Sequence, residues 1–392
     1  MRDGKDDRGT LDERLEYLDA LRGMAILGVV LVHTSQLVPL ANPFALQLFA
    51  AGKLGVQMFF VVSAFTLWSA LRRNPANDGA GIAAFFVRRA FRILPAYWLG
   101  IVAWSALYAW SSGSVMWLYV LLSATFCNGV HPDAINYIPP GGWSITDEAT
   151  FYLFVPFLAR KLTTVGRAVR AFAASALVAS VLTSALMRDD VRAILQATLR
   201  VPHPVLYGSH FSRGWFLYFW FPAELPVFLA GVVAFRIADR WRAPSRGAGI
   251  ALVLVALEGM AFVALSVDRM FGLRQVVSGA CFAALLLGLR AAPLTVFVNA
   301  FLRRLGRVSF SIYLIHYAFR LLCEVLLGRK LNWLFGAGSV YAILGLFVAI
   351  TLASWACAEV TFRFVERPGI ELGARVSRAV RRRLAPEGAL GA

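Results

Sequence analysis

The sequence predicts an all-α, polytopic membrane protein of about ten spans, and three observations predict it. Of its 392 residues, 59% are hydrophobic and the mean hydropathy is +0.66, more than a soluble domain carries. The apolar residues fall in runs of the length needed to cross a hydrocarbon core about 30 Å thick. The Lys and Arg residues stand between those runs and give a net charge of +17. In a soluble chain that charge would point to nucleic acid. Between apolar spans it reads as loop charge that sets topology, so membrane lipid is the expected partner and nucleic acid is not. Cys127, Cys281, Cys323 and Cys357 are scattered in or beside apolar segments, without metal-ligand or disulfide spacing. No metal is expected.

Residues 1–18 are mostly charged, with six acids and four bases. No short cleavable signal precedes the first apolar run, which therefore reads as a retained signal-anchor. The expected spans are 20–40, 54–72, 94–112, 143–160, 166–187, 215–235, 247–266, 271–291, 307–327 and 338–362. The apolar piece 114–127 is at the lower limit of length for a span. Loop charge decides its placement. With ten spans and a cytoplasmic N-terminus, the basic groups Arg88–Arg92, Arg160–Arg170, Arg236–Arg246, Arg303–Arg307 and Arg381–Arg383 all fall on the cytoplasmic side. A crossing at 114–127 would move every later group outside. That piece is therefore interfacial or re-entrant, and both termini are cytoplasmic. The chain divides into a cytoplasmic N-terminal segment 1–18, a membrane domain 19–366 and a basic cytoplasmic tail 367–392.

Ionisable groups inside a span are costly, so they usually face a partner or a water-filled cavity. Arg22 and His33 are eleven residues apart in the first span. On a helix this is three turns plus about 20°, so they share a stripe roughly 16 Å long. Asp19 lies on it too, three before Arg22. In the fourth span Glu148 follows Trp143 by five residues. If Trp143 marks the outer interface, Glu148 lies about 7–8 Å below it, at a depth comparable to His33. The two could converge, the carboxylate orienting an imidazole that activates a hydroxyl. A polar clamp between helices is the plainer reading.

Segment 81–92 reads as an amphipathic inner-face helix, after which Pro95 opens the next span. Arg89 and Arg92 share a face there. They could touch anionic lipid, or bind a phosphorylated donor, since guanidinium suits phosphate. Tyr313 and His316 share a face of the ninth span, near Ser309 and Ser311, where helix-to-helix hydrogen bonds would also explain them. Glu224, between Pro222 and Pro226, suggests a broken helix beside a cavity. His131, His203 and His210 fall in expected outer loops.

Six pieces now carry a resemblance: LDALRGMAILGVVLVH (Leu18–His33), GVQMFFVVSAF (Gly55–Phe65), RRAFRILPAYW (Arg88–Trp98), WSITDEATFYLFVP (Trp143–Pro156), LGRVSFSIYLIH (Leu305–His316) and FVERP (Phe364–Pro368). In this order the chain resembles the acyltransferase-3 family of integral membrane O-acyltransferases. The resemblance implies a ten-helix domain that moves an acyl group, often acetyl, from a cytoplasmic acyl-CoA co-substrate to a hydroxyl of a carbohydrate, a lipid-linked sugar or a related acceptor. No other cofactor is implied. It makes Arg22 and His33 essential, aligns Glu148 with the acid of the Trp-Ser motif that begins at Trp143 and Ser144, and puts Arg89 and Arg92, with Arg88 beside them, on the donor side. Tyr152 would be available for a covalent relay, against direct transfer. Ser63-Ala64-Phe65 stands where the family has Ser-Gly-Phe, so a methyl enters a place of expected close packing. The expected setting is a bacterial inner membrane. A transporter or flippase using the same buried charges is the rival class, and a structural or sensor protein the third.

Overall fold

A computed structural model describes residues 16–38, 40, 42–199, 210–241, 245–266, 273–335 and 339–384. It is all-α, with no strand among the described residues. The first run forms α1 (Glu16–Ser35). A short α2 (Pro43–Ala50), capped by the Asn42 side chain, and a 3-10 turn lead into α3 (Gly55–Arg73). Next come α4 (Gly79–Ser112), α5 (Trp117–Ala124), α6 (Gly142–Lys161), α7 (Val165–Met187), α8 (Asp189–Leu199), α9 (His210–Phe219) and α10 (Phe221–Arg240). Then follow α11 (Arg246–Leu265), α12 (Arg274–Ala291), α13 (Ala300–Arg307), α14 (Ser309–Phe335), α15 (Val340–Thr361), a π-helical turn (Phe362–Glu366) and α16 (Arg367–Leu384).

Among the described residues nine helices are long and apolar enough to cross a membrane. They match the expected spans except 143–160. That stretch is the 20-residue α6, whose Asp147, Glu148, Arg160 and Lys161 exclude it on composition. Its polar end is covered by protein. The piece 114–127 yields only the eight-residue α5, about 12 Å long and too short to cross.

One boundary differs from expectation. Pro95 does not open a new helix. It lies inside the continuous 34-residue α4, which runs on from the amphipathic stretch 81–92. A proline removes one i→i−4 hydrogen bond, here to the Phe91 carbonyl, without ending a helix packed on both sides. Residues 367–384 are helical and pack along α4. His203 and the side chain of His210 lie outside the described residues.

The centre of the bundle is α1, α3 and α10. Phe60 of α3, Phe151 of α6 and Phe228 of α10 stack in a row, with centroids 4.3 Å apart at both steps. This row seats α6 against the other two. By contrast α7, α11 and α15 turn Leu177, Val178, Leu254, Val255, Val348 and Leu352 outward, as lipid-facing helices do. Arg22 is placed by a backbone-to-backbone crossing of α1 and α13. A Cβ on Gly23 would overlap the Leu302 carbonyl, and one on Gly306 the Asp19 carbonyl. The Ala64 methyl is accommodated at a similar crossing, where a Cβ on Gly231 of α10 would stand 2.9 Å from it.

Candidate active site

Five helices bring their polar residues to one cavity of about 320 Å³. Arg22 comes from α1, and Ser63, Thr66 and Arg73 from α3. Arg89 and Arg92 come from α4, Ser144 and Glu148 from α6, and Ser309 and Tyr313 from α14. Apolar walls are supplied by Val56, Phe59, Phe60, Ile93, Ile145 and Phe310.

The cations are set differently. Arg22 Nη1 donates to Asp19 at 2.8 Å and Nη2 to Thr66 Oγ1 at 3.3 Å, so its place on the wall is fixed. The Arg89 guanidinium lies 5.8 Å from the Tyr152 ring centroid, and its buried Nε has no hydrogen-bond partner among the described residues. A buried N–H without a partner is costly, and it faces a cavity rich in positive charge. Arg88 is half-buried and is not part of the cavity wall.

Glu148 accepts hydrogen bonds from Ser63 Oγ and, at 2.6 Å, from Tyr152 Oη one turn further along α6. Ser144 Oγ and Tyr313 Oη are 2.8 Å apart, and both donate to the Gly141 carbonyl, at 3.0 and 2.9 Å. The start of α6 is thereby tied to α14.

His33 is not on this cavity. Its ring lies 4.4 Å from that of Tyr317 and 5.4 Å from that of His316, centroid to centroid. Tyr317 Oη is 3.0 Å from both its ring nitrogens, and Gln36 Oε1 is 3.5 Å from Nδ1. Arg320 Nε donates to the His33 carbonyl at 3.2 Å. His316 is fully buried. Its Nδ1 lies 2.7 Å from the Tyr313 carbonyl and its Nε2 has no partner among the described residues. A proton on Nδ1 satisfies that carbonyl and leaves Nε2 as the basic nitrogen. The Tyr313 ring, which forms part of the cavity wall, is 5.8 Å from His316. His33 thus stands two ring contacts behind the cavity.

The expected approach of Glu148 to His33 is therefore corrected: Glu148 shares its cavity with Arg22. The depth estimate rested on Trp143 as an interface marker. Trp143 is buried, packed against Phe60, Tyr218 and Phe219. Helix α6 accordingly begins inside the protein, and its acid lies deeper than supposed. The stripe of α1 faces a seam, with α3 at Arg22 and α14 at His33. The helix break expected near Glu224 falls at Trp220, which is extended between α9 and α10 just before Pro222. Helix α10 continues through Pro226, and buried Glu224 accepts from Gln57 Nε2 at 2.8 Å.

Sequence reasoning missed Ser63, Arg73, Tyr317 and Arg320. Ser63 lies in the motif beside Ala64, and nothing in the local pattern marks its hydroxyl as a donor to Glu148. Tyr317 directly follows His316, and a tyrosine near a span end draws no notice by itself.

Residues 15–359 match the family model described as an acyltransferase domain, and the chain belongs to that family. It is 25% identical over 373 residues to the acyltransferase MdmB of Streptomyces mycarofaciens, covering 86% of this chain and 88% of that one. Part of the chain is similar to a Staphylococcus aureus (strain COL) protein whose name marks it a provisional O-acetyltransferase. That match is 28% identical over 155 residues, 36% of this chain. It is 33% identical over 119 residues to the exopolysaccharide production protein ExoZ of Rhizobium meliloti, covering 28% of this chain and 36% of ExoZ. The matched region spans only 24% of the length of the Staphylococcus relative. No solved structure matches the chain.

Proposed function

We propose that the protein is a membrane O-acyltransferase that takes an acyl group, in the simplest case acetyl, from a cytoplasmic acyl-CoA to a hydroxyl of a carbohydrate or related acceptor. The observation that carries the reading is the convergence of Arg22, Arg73, Arg89 and Arg92 on one cavity that also holds a carboxylate. Guanidinium groups clustered in a partly apolar cavity suit the phosphates of such a donor. The family supports acyl transfer, and the name of ExoZ ties one relative to exopolysaccharide.

In this reading the donor phosphates lie among the arginines and the thioester extends past Tyr313 toward His33. The acceptor hydroxyl gives its proton to His33 as its oxygen attacks the acyl carbon. The C–S bond breaks, the C–O bond forms, and the proton ends on the departing thiol. Gln36 beside Nδ1 favours the tautomer in which Nε2 is the base. Tyr317 orients the ring. His316, with its bare Nε2, is the second proton-handling group. Glu148, Ser63 and Tyr152 form a hydrogen-bonded set on the donor side, where Glu148 limits the repulsion among the arginines. Transfer is direct, with no acyl-enzyme on Tyr152, whose hydroxyl is already committed to Glu148.

Mass spectrometry of surface glycans and lipids tests this in a strain lacking the protein. An acyl mass should vanish and return with the wild-type chain but not with His33→Gln. Unchanged acylation in the deleted strain, with altered export of an unmodified glycan, would favour the transporter instead.

A further inference from the structure

Helix α6 carries a second acid, Asp147, that the mechanism above leaves without a task. Asp147 is buried, and its Oδ2 has no hydrogen-bond partner among the described residues. Glu224 of α10 and Gln57 of α3 are fully buried too. Gln57 Nε2 donates to Glu224 Oε1 at 2.8 Å and to Tyr218 Oη of α9 at 3.4 Å. Gln57 Oε1 and Glu224 Oε2, the other oxygens of this pair, likewise have no partner among the described residues. All three atoms are acceptors, and burying an acceptor without a donor is costly.

The helices bring these side chains to one level. Helices α3, α6 and α10 run in the same direction. Gln57 meets Glu224 at the starts of α3 and α10, and Arg72 pairs with Asp239 at their ends. Trp143 packs on Phe219 at the start of α6, and Arg236 Nε donates to the Leu162 carbonyl at its end. Phe60, Phe151 and Phe228 form the stacked row described above. Gln57 lies three residues before Phe60, Asp147 four before Phe151 and Glu224 four before Phe228. At that spacing residues share a helix face, so the three polar side chains make the next layer along the same seam. Trp143, one turn before Asp147, closes the layer from the other side, its ring centroid 6.1 Å from that of Phe60 and 6.3 Å from that of Tyr218.

We propose that Gln57, Asp147 and Glu224 form a site for a monovalent metal cation, with sodium the ion of fitting chemistry. Carboxylate and amide oxygens are ligands for hard cations. Two carboxylates inside an apolar bundle need a compensating positive charge. A single shared proton would satisfy at most two of the three oxygens, whereas a metal ion contacts all three. The layer offers too few oxygens for calcium, which takes about six to eight, and is too enclosed for the waters that magnesium retains. The ligands come from three separate helices, so no local spacing in the sequence announces them. The bound ion ties the start of α6, and with it Glu148 of the arginine cavity, to α3 and α10. The site does not depend on the donor-site reading above.

The test is the thermal midpoint of the full-length protein, purified in detergent without sodium and titrated from choline chloride into sodium chloride at constant ionic strength. An ion that binds only the folded state raises its stability with the logarithm of concentration once the site fills. The midpoint should rise by about 2 °C or more as sodium reaches ~0.2 M. Glu224→Gln and Asp147→Asn keep shape and remove one charge each, and both should abolish the sodium response. Glu258→Gln, at an exposed acid of α11, should keep it. If a carboxylate variant does not fold, Gln57→Leu, which removes an uncharged ligand, decides. The same wild-type midpoint in both salts would overturn the proposal, and a midpoint that follows pH but not sodium would give the acid pair to a proton instead. A sodium response that survives in the folded variants would put the ion elsewhere and overturn it as well.

Discussion

Arg89 gives the sharpest statement at the scale of single residues. Its Nε is buried beside the cavity without a hydrogen-bond partner among the described residues, so a ligand anion there would satisfy it. The double variant Arg89→Ala/Arg92→Ala is predicted to raise the donor KM by at least roughly tenfold with little change in kcat, because such contacts are made equally in ground and transition states. Steady-state kinetics at saturating acceptor checks this, and an unaltered KM would return both residues to the role of lipid contacts. Tyr317→Phe removes the hydroxyl beside the His33 ring and is predicted to lower kcat about tenfold, the cost of one orienting hydrogen bond. Wild-type turnover in that variant would detach Tyr317 from the mechanism. Arg22, Arg89, Arg92 and Glu148 were legible because charge within or beside an apolar run must be held by something. The partner of His33 was not. Depth along a helix axis fixes height but not direction, and the Trp143 reference was itself buried.

Among the elements, span lengths were readable from hydropathy, while their joins were not. Pro95 looked like a helix start because a proline's missing N–H does least harm there. Within α4 the freed Phe91 carbonyl lies against Gly369 instead, a tertiary contact that no local pattern announces. Helix α6 shows the converse. Its acids lower its hydropathy below that of a span, yet its aromatic stack with Phe60 and Phe228 seats it at the centre. The glycine crossings carry a prediction of their own. Gly306→Val should destabilise the protein by about 1–3 kcal/mol, since the α1–α13 contact leaves no room for a side chain. Gly345→Val, where no atom of the described residues lies within 4 Å of the added Cβ, is the matched control. A lowered thermal midpoint is expected in detergent for the first and not for the second. Equal midpoints would mean that the crossing is looser than described.

For the whole molecule, the distribution of basic loops predicts orientation. Reporters fused after Ala171 and after Ala392 should both lie in the cytoplasm. An external C-terminal reporter would give an odd number of crossings and separate the arginine cavity from the cytoplasmic donor. The central claim is that one chain joins an arginine-lined donor cavity to an imidazole pair for acyl transfer. The most direct measurement is release of free thiol from acetyl-CoA by the purified protein in detergent, supplied with a membrane glycan and lipid extract as acceptor. The wild-type chain should release thiol in step with acylation of the extract. At matched protein level, His33→Gln should lose about 10²–10⁴-fold of that rate while still binding acetyl-CoA. Thiol release by His33→Gln at the wild-type rate would contradict the account, because hydrogen bonding without proton transfer would then suffice at that position.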